Sequence, residues 1–368
     1  MYVYNILKKM NLMKARHITI LETLLLLLCL TACTGNDVPA SEPLPDEEGV
    51  PICWNVVPDG RLDGRALIED YADLKAACTP GSGDMAIGIW SAYRLHGDSV
   101  KNVLGNPTGD VSLTYTPNAL ENNSAGWTYG EKYAFWKDKA VYYFNAYFPK
   151  TGGMTAIAND STSLKGSFDT KTTQTDLMVT RVKVDTNDAG FQGDPVALPM
   201  EHALATLKFI FLLKEGNDTK RLKSFSLDNT QKTAGNLNYN TDALSIANWA
   251  VGTTSDSGRI YEWADNSGVP FTTTTGAVPY TTGNGIYQTH GGHLFIIPQL
   301  CESAPTFNCT IDMNSIDDIS YENISLGTTQ FEPGKNYIYT VEVKDNTLKL
   351  NLSIKDWNEL DTSYDIDF

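Results

Sequence analysis

Residues 347–355, TLKLNLSIK, permit few folds. Leu348, Leu350, Leu352 and Ile354 alternate with Lys349, Asn351, Ser353 and Lys355. Successive side chains of a strand point to opposite faces, so this period of two predicts a half-buried strand with one apolar and one polar side. The run before it, NYIYTVEV, places Tyr337, Tyr339, Val341 and Val343 together, and Asp345-Asn346 between the two reads as a hairpin turn. Further strands are expected over residues 140–148, 176–184, 204–213, 293–300 and 306–313. Clusters of Gly, Asn, Asp, Ser and Thr separate them, as in TSDSGRIYEWADNSG and TTTTGAVPYTTGNG. Short strands punctuated in this way predict an all-β fold built of β-sandwiches rather than α/β layers. One short helix is expected near residues 63–78: Leu67, Tyr71, Leu74 and Cys78 share a face, Asp63 caps the start, and Pro80-Gly81 stops it. A division between an N-terminal domain, 50–193, and a C-terminal domain, 194–368, is expected at GFQGDP.

The start of the chain is of another kind. An apolar run over residues 18–32 is shorter than the roughly 20 residues a membrane helix needs, and Glu22 interrupts it. Lys8, Lys9, Lys14 and Arg16 precede it and small residues close it, which makes residues 1–32 a secretory signal. Residues 30–33, LTAC, which span the end of that signal, resemble the lipobox of bacterial lipoproteins. That resemblance implies acylation of Cys33 as the first mature residue, with the outer membrane as partner. Each buried methylene contributes about 0.8 kcal/mol, so an anchor of more than one acyl chain is durable. Residues 33–49 are acidic and proline-rich, a semi-extended tether with little to bury.

The full chain of 368 residues carries a net charge of -16, which becomes -19 once the leader's four basic residues and one acid are gone. Such a surface repels phosphate backbones, so no nucleic-acid partner is expected. Of six cysteines, Cys29 leaves with the leader and Cys33 takes lipid, so Cys53, Cys78, Cys301 and Cys309 remain. Export permits disulfides, and four cysteines allow three connectivities. Cys301 and Cys309 flank ESAPTFN and can face each other across a hairpin; buried free thiols are the equal alternative.

Nothing in the chain announces catalysis, a cofactor or a metal, so an enzyme is not expected. His290 and His293 in HGGH lack the acidic partner of a zincin helix, and two glycines oppose a helix there. No nucleophile elbow, phosphate loop or dinucleotide fingerprint is present. DMNSIDD, residues 312–318, lacks the glycine and closing glutamate of an EF-hand and reads as a solvated turn. Trp54, Trp90, Trp127, Trp136, Trp249, Trp263 and Trp357 are candidate sugar platforms, although core packing is the commoner use.

Five blocks carry a resemblance: AIGIWSAY (86–93), WTYGEKYAFWKDKAVYYFNAYFPK (127–150), VALPMEHALATLKFIF (196–211), LFIIPQ (294–299) and FEPGKNYIYTVEVKDNTLKLNLSIKDWNE (331–359). In this order, behind a lipobox, the chain resembles the fimbrillin-like proteins of Bacteroidetes. The resemblance implies two tandem β-sandwich domains of transthyretin-like Greek-key type and delivery to the cell surface as a lipoprotein. In polymerising members it also implies removal of the first strand by an arginine-specific protease, and refilling of the groove by a donor strand from another fimbrial subunit. Here the displaced strand would be VPICWNVVP, with Val50, Ile52, Trp54 and Val56 alternating, and the cut would fall between Arg65 and Ala66. Tyr364, Ile366 and Phe368 of YDIDF would form the donor strand. The function so implied is that of a structural subunit or anchor of surface fimbriae serving adhesion to a host or bacterial ligand. A lipid-anchored glycan-binding protein is the alternative, and an exported hydrolase is the weakest reading.

Overall fold

Alternation becomes strands almost throughout. The computed structural model describes residues 49–58, 71–81, 85–116, 126–129, 134–213, 221–227, 232–252, 262–270, 293–313, 317–344 and 347–356. The first strands are β1 (Trp54–Pro58), β2 (Ile87–Leu95), β3 (Lys101–Leu104), β4 (Val111–Tyr115), β5 (Trp127–Thr128), β6 (Ala140–Phe148), β7 (Thr155–Asn159) and β8 (Leu164–Asp169). Next come β9 (Met178–Asp185), β10 (Val196–His202), β11 (Ala205–Leu213), β12 (Arg221–Leu227), β13 (Ala234–Tyr239), β14 (Trp249–Val251) and β15 (Glu262–Pro270). The last are β16 (His293–Ile296), β17 (Gln299–Leu300), β18 (Thr306–Asp312), β19 (Asp318–Ser325), β20 (Gln330–Phe331), β21 (Lys335–Lys344) and β22 (Thr347–Asp356). The fold is all-β, as the sequence predicts. Among the described residues the one α-helix, α1 (Tyr71–Cys78), buries Leu74 and Cys78 and ends before Gly81, whose φ of 79° favours glycine. The expected first half of that helix, with Asp63 and Leu67, lies outside the described residues.

The strands group into layers. An eight-stranded sheet runs β1-β10-β9-β6-β2-β4-β5, with β3 also on β2. Its apolar side gathers Trp54, Ile89, Phe144 and Leu198 with Leu74 of α1 into one core. Two four-stranded sheets, β16-β11-β21-β22 and β15-β12-β18-β19, share a second core. At its centre the Phe209 ring lies 4.6 Å from Phe225 and stacks on Tyr339 at 5.0 Å. Aromatic packing of this kind adds to the apolar burial that holds two sheets face to face.

A fourth sheet, β14-β13-β8-β7, draws strands from both sides of residue 193. Strand β8 precedes the division expected at 193 and β13 follows it, yet six residues of each pair in register, from Leu164↔Tyr239 to Asp169↔Ala234. Strand β10, immediately beyond that division, belongs to the first sheet. A third core is therefore common to both halves and includes Tyr147, Phe168, Leu177, Leu237, Trp249 and Phe295. Residues 49–368 form one compact unit.

The strand read first from the sequence, β22, pairs antiparallel with β21 from Lys335↔Asp356 to Lys344↔Thr347. Its apolar face is covered only in part. Leu348 and Leu350 pack against the second core, whereas Leu352 is 36 % and Ile354 52 % exposed.

Candidate functional site

Strand β1 and the residues that hold it form the best-defined candidate. In the sequence PICWNVVP, Ile52, Trp54 and Val56 fall on one face, and all three are fully buried, while Val50 at the entrance is 52 % exposed. On one side β1 runs parallel to β10, pairing Trp54 with Val196 and Val56 with Leu198, and Val196 donates its N–H to Cys53 O at 2.8 Å. On the other side the entering chain meets residues 134–136: Ile52 donates to Ala134 O at 2.7 Å, and Trp136 donates to Val50 O at 2.9 Å. The segment thus sits in a slot, bonded along both edges, with the apolar core as its floor.

Side chains shape that slot. The Trp54 indole meets Tyr129 and Phe144 edge-on, with ring centroids 5.8 and 5.4 Å away. Its Nε1 is buried and finds no acceptor among the described residues. The Tyr129 hydroxyl accepts the N–H of Ala134 at 2.7 Å, and burial pushes its ionisation up to about 12. Gly193, from the GFQGDP stretch, is required by position: its φ is 74°, and a Cβ there would lie 2.7 Å from Val50 Cγ1. The contacts named here are apolar packing and backbone hydrogen bonds, the means by which a strand is seated regardless of its exact side chains.

Other expected site residues fall elsewhere. Cys33, Arg65, Ala66, Tyr364, Ile366 and Phe368 lie outside the described residues. The pairing considered for Cys301 and Cys309 is corrected: both are buried free thiols, as is Cys78. Cys309 has Phe225 and Tyr321 as its cross-strand neighbours, because β18 makes its hairpin with β19. Cys301 is fixed separately, by its N–H to Thr329 O at 2.7 Å and its thiol toward Gln299 Oε1 at 3.8 Å. Burial raises the Cys301 thiol to about 11 and those of Cys78 and Cys309 to about 12.

The tryptophans whose side chains are described, Trp54, Trp90, Trp127, Trp136 and Trp249, are buried and pack in the interior, so none of these offers a sugar platform. His293 opens β16, and His290 lies outside the described residues. In the DMNSIDD stretch, Asp312 and Asp318 flank Lys223, whose Nζ is 3.7 Å from Asp312 Oδ2 and 2.8 Å from Asp318 Oδ1. No group of three or more metal-binding side chains occurs among the described residues, and no helix among them is long and apolar enough to cross a membrane.

The walls of the slot were not read from the sequence. Tyr129, Ala134 and Phe144 lie about eighty residues beyond the strand they hold, and β10 about 140 beyond it. The only available signal was the alternation of Val196, Leu198 and Met200 in VALPM.

Comparison with known proteins agrees with this architecture. A family model described as fimbrillin-like matches residues 82–357. No curated protein matches the chain. Among solved structures, a fimbrial protein from Bacteroides vulgatus is similar, with a TM-score of 0.51 at 14 % identity over 81 % of this chain and 99 % of that one. At that identity the likeness is one of fold. A candidate cell adhesion protein from Bacteroides uniformis has a TM-score of 0.45 at 17 % identity, over 83 % of this chain and 99 % of the other. A tip fimbrial protein from Porphyromonas gingivalis, truncated at its C-terminus, has a TM-score of 0.35 at 11 % identity, over 82 % and 99 %. With most of its length covered by one family model, the chain belongs to the fimbrillin-like family.

Proposed function

We propose that the chain is a structural subunit or anchor of cell-surface fimbriae, joined to its neighbours by strand addition and serving adhesion. One observation supports this reading: the segment from Val50 to Pro58, near the start of the compact unit, sits in a slot, with β1 on β10 along one edge, Val50 and Ile52 bonded to residues 134–136 along the other, and Ile52, Trp54 and Val56 buried beneath it. Without β1, the edge of β10 and an apolar channel would be open together. A strand from a neighbour would then regain the ladder and bury its own alternate side chains, at about 1.5 to 3 kcal/mol for each large one.

The sequence supplies means for each step. Arg61 and Arg65 follow the strand closely, so cleavage by an arginine-specific protease before Ala66 would release lipid, tether and β1 in one piece. Tyr364, Ile366 and Phe368 give the C-terminus the alternation of a donor strand. Until such a cut, lipid on Cys33 would hold the protein on the outer membrane, and an uncut chain would serve as an anchor.

The test is the state of the protein recovered from Bacteroidetes cells. A polymerising subunit begins at Ala66 and runs as heat-resistant ladders on denaturing gels; an anchor keeps acylated Cys33. Ladders that persist after deletion of residues 361–368 would rule out this tail as the donor. A chain with neither terminus, never found in fimbrial fractions, would overturn the reading.

A further inference from the structure

The outer face of the sheet β14-β13-β8-β7, turned away from the third core, is hollowed at one place. Thr155 of β7, Ser167 of β8 and Asn236 of β13 are cross-strand partners, so their side chains stand in one row on that face. The next row along β8 is different. Asp169 has Ala234 as its partner on β13, and Gly252, whose N–H reaches Ala234 O at 3.4 Å, follows beyond. On the β7 side Gly153 borders the same hollow, and a Cβ there would collide with Pro149 O. With Gly153, Ala234 and Gly252 about it, the Asp169 side chain rises from a floor of backbone into a cleft of about 270 Å³. The Phe168 ring turns the other way, into the third core.

Polar groups in the cleft are fixed but not used up. Asp169 Oδ1 accepts the N–H of Lys171 at 2.8 Å, which orients the carboxylate, and Oδ2 has no partner among the described residues. The lysine on the same face of β8, Lys165, lies 3.6 Å from Asp160 instead, so it does not neutralise Asp169. Ser167 Oγ donates to Asn236 Oδ1 at 2.6 Å, and the Asn236 Nδ2 keeps both of its hydrogens to give. Thr172 and Thr173 form the rim, held by Thr172 Oγ1 and the Thr173 N–H, which donate to Asp169 O at 3.2 and 3.0 Å. A free donor and a free acceptor thus stand at diagonal positions on neighbouring strands, about 7 to 8 Å apart at the backbone.

We propose that this cleft binds a neutral sugar, holding two neighbouring hydroxyls between the Asn236 amide and the Asp169 carboxylate. A hydroxyl both donates and accepts, so one sugar oxygen can accept from Asn236 Nδ2 while the next donates to Asp169 Oδ2. The bond to the carboxylate is the stronger of the two, and the same charge repels a uronic acid. Ala234 and the glycines leave the ring room to lie against the backbone. With no aromatic platform each contact is weak, and many copies on one fimbria would supply strength by multivalency. That use in adhesion rests on the function proposed above, whereas the binding itself shares no residue with the β1 slot.

The probes are methyl α-mannoside and methyl β-galactoside, each beside its isopropylidene acetal, in which the vicinal pair of hydroxyls is tied up. They are titrated into the isotope-labelled mature chain and followed by amide resonances. At least one parent sugar is expected to give saturable shifts of the Asn236 side-chain amide and of the backbone amides of Ser167, Asp169 and Thr173, and its acetal to give none. Asp169→Asn turns the free acceptor into a donor, and Asn236→Asp turns the free donor into an acceptor. Each should weaken binding about ten-fold or more while leaving the amide spectrum of β21 unchanged. Saturable shifts from neither sugar, shifts confined to other strands, acetals that bind as well as their parents, or full binding by both variants would overturn the proposal. So would a methyl glucuronoside that binds more tightly than either neutral sugar. Any of these failures leaves subunit joining untouched, since that is read from the ladders on gels.

Discussion

Trp54 has no exposed surface, and its neighbours Tyr129 and Phe144 belong to strands and loops held by other bonds. Truncating it therefore leaves a hole that the surroundings close poorly. Trp54→Ala is expected to cost about 3 to 5 kcal/mol, whereas Val50→Ala, at the exposed entrance, should stay within about 0.5 kcal/mol. Urea midpoints at unchanged slope measure both. The cysteines give a second check. Cys78, Cys301 and Cys309 are buried, with ionisation raised to about 12, 11 and 12, so little thiolate is present to react. Iodoacetamide at pH 8 should label these three only after unfolding; a Cys301–Cys309 disulfide would instead resist labelling until reduced. The spacing of the two cysteines was legible in the sequence, but their partners were not. Spacing along a chain does not say which strand closes a hairpin, and β18 turns into β19 rather than back toward Cys301.

Strands show the same limit at the next scale. Alternation was enough to find β6, β11, β18, β21 and β22 nearly to the residue, because a period of two is a local property. It could not say how far a face is covered. Leu352 and Ile354 follow the pattern of Leu348 and Leu350, yet β22 has no partner beyond it among the described residues, and its far end passes the margin of the core. Nor could it find the neighbour of β1, since parallel partners need no common turn and here lie far apart in the chain. That pairing has a direct test. Val196→Pro removes the N–H that holds Cys53 O, so the amides of Ile52 and Val56 should exchange with solvent faster while those of β21 keep their protection. Equal acceleration in both strands would show that β1 is not a separately seated element.

For the whole molecule, the joint between β8 and β13 decides how stability is shared. The sequence suggested two domains meeting near residue 193, because a Gly-Pro-rich stretch there has the composition of a boundary. Composition does not reveal a ladder between residues 164–169 and 234–239, nor the core that Phe168 and Leu237 build beneath it. Phe168→Ala is therefore expected to lower protection in β6 and in β11 together, by about 3 to 5 kcal/mol in exchange measured at both; loss in β6 alone would mean that the halves unfold independently. Trp54 carries a last implication. Its indole hydrogen is walled in with no acceptor among the described residues, a condition that typically costs about 1 to 3 kcal/mol. A newcomer of similar bulk with no such hydrogen would be the more comfortable tenant. If subunits join as proposed, the chain's own plug would be held firmly enough to finish the fold without being the tightest fit for its socket.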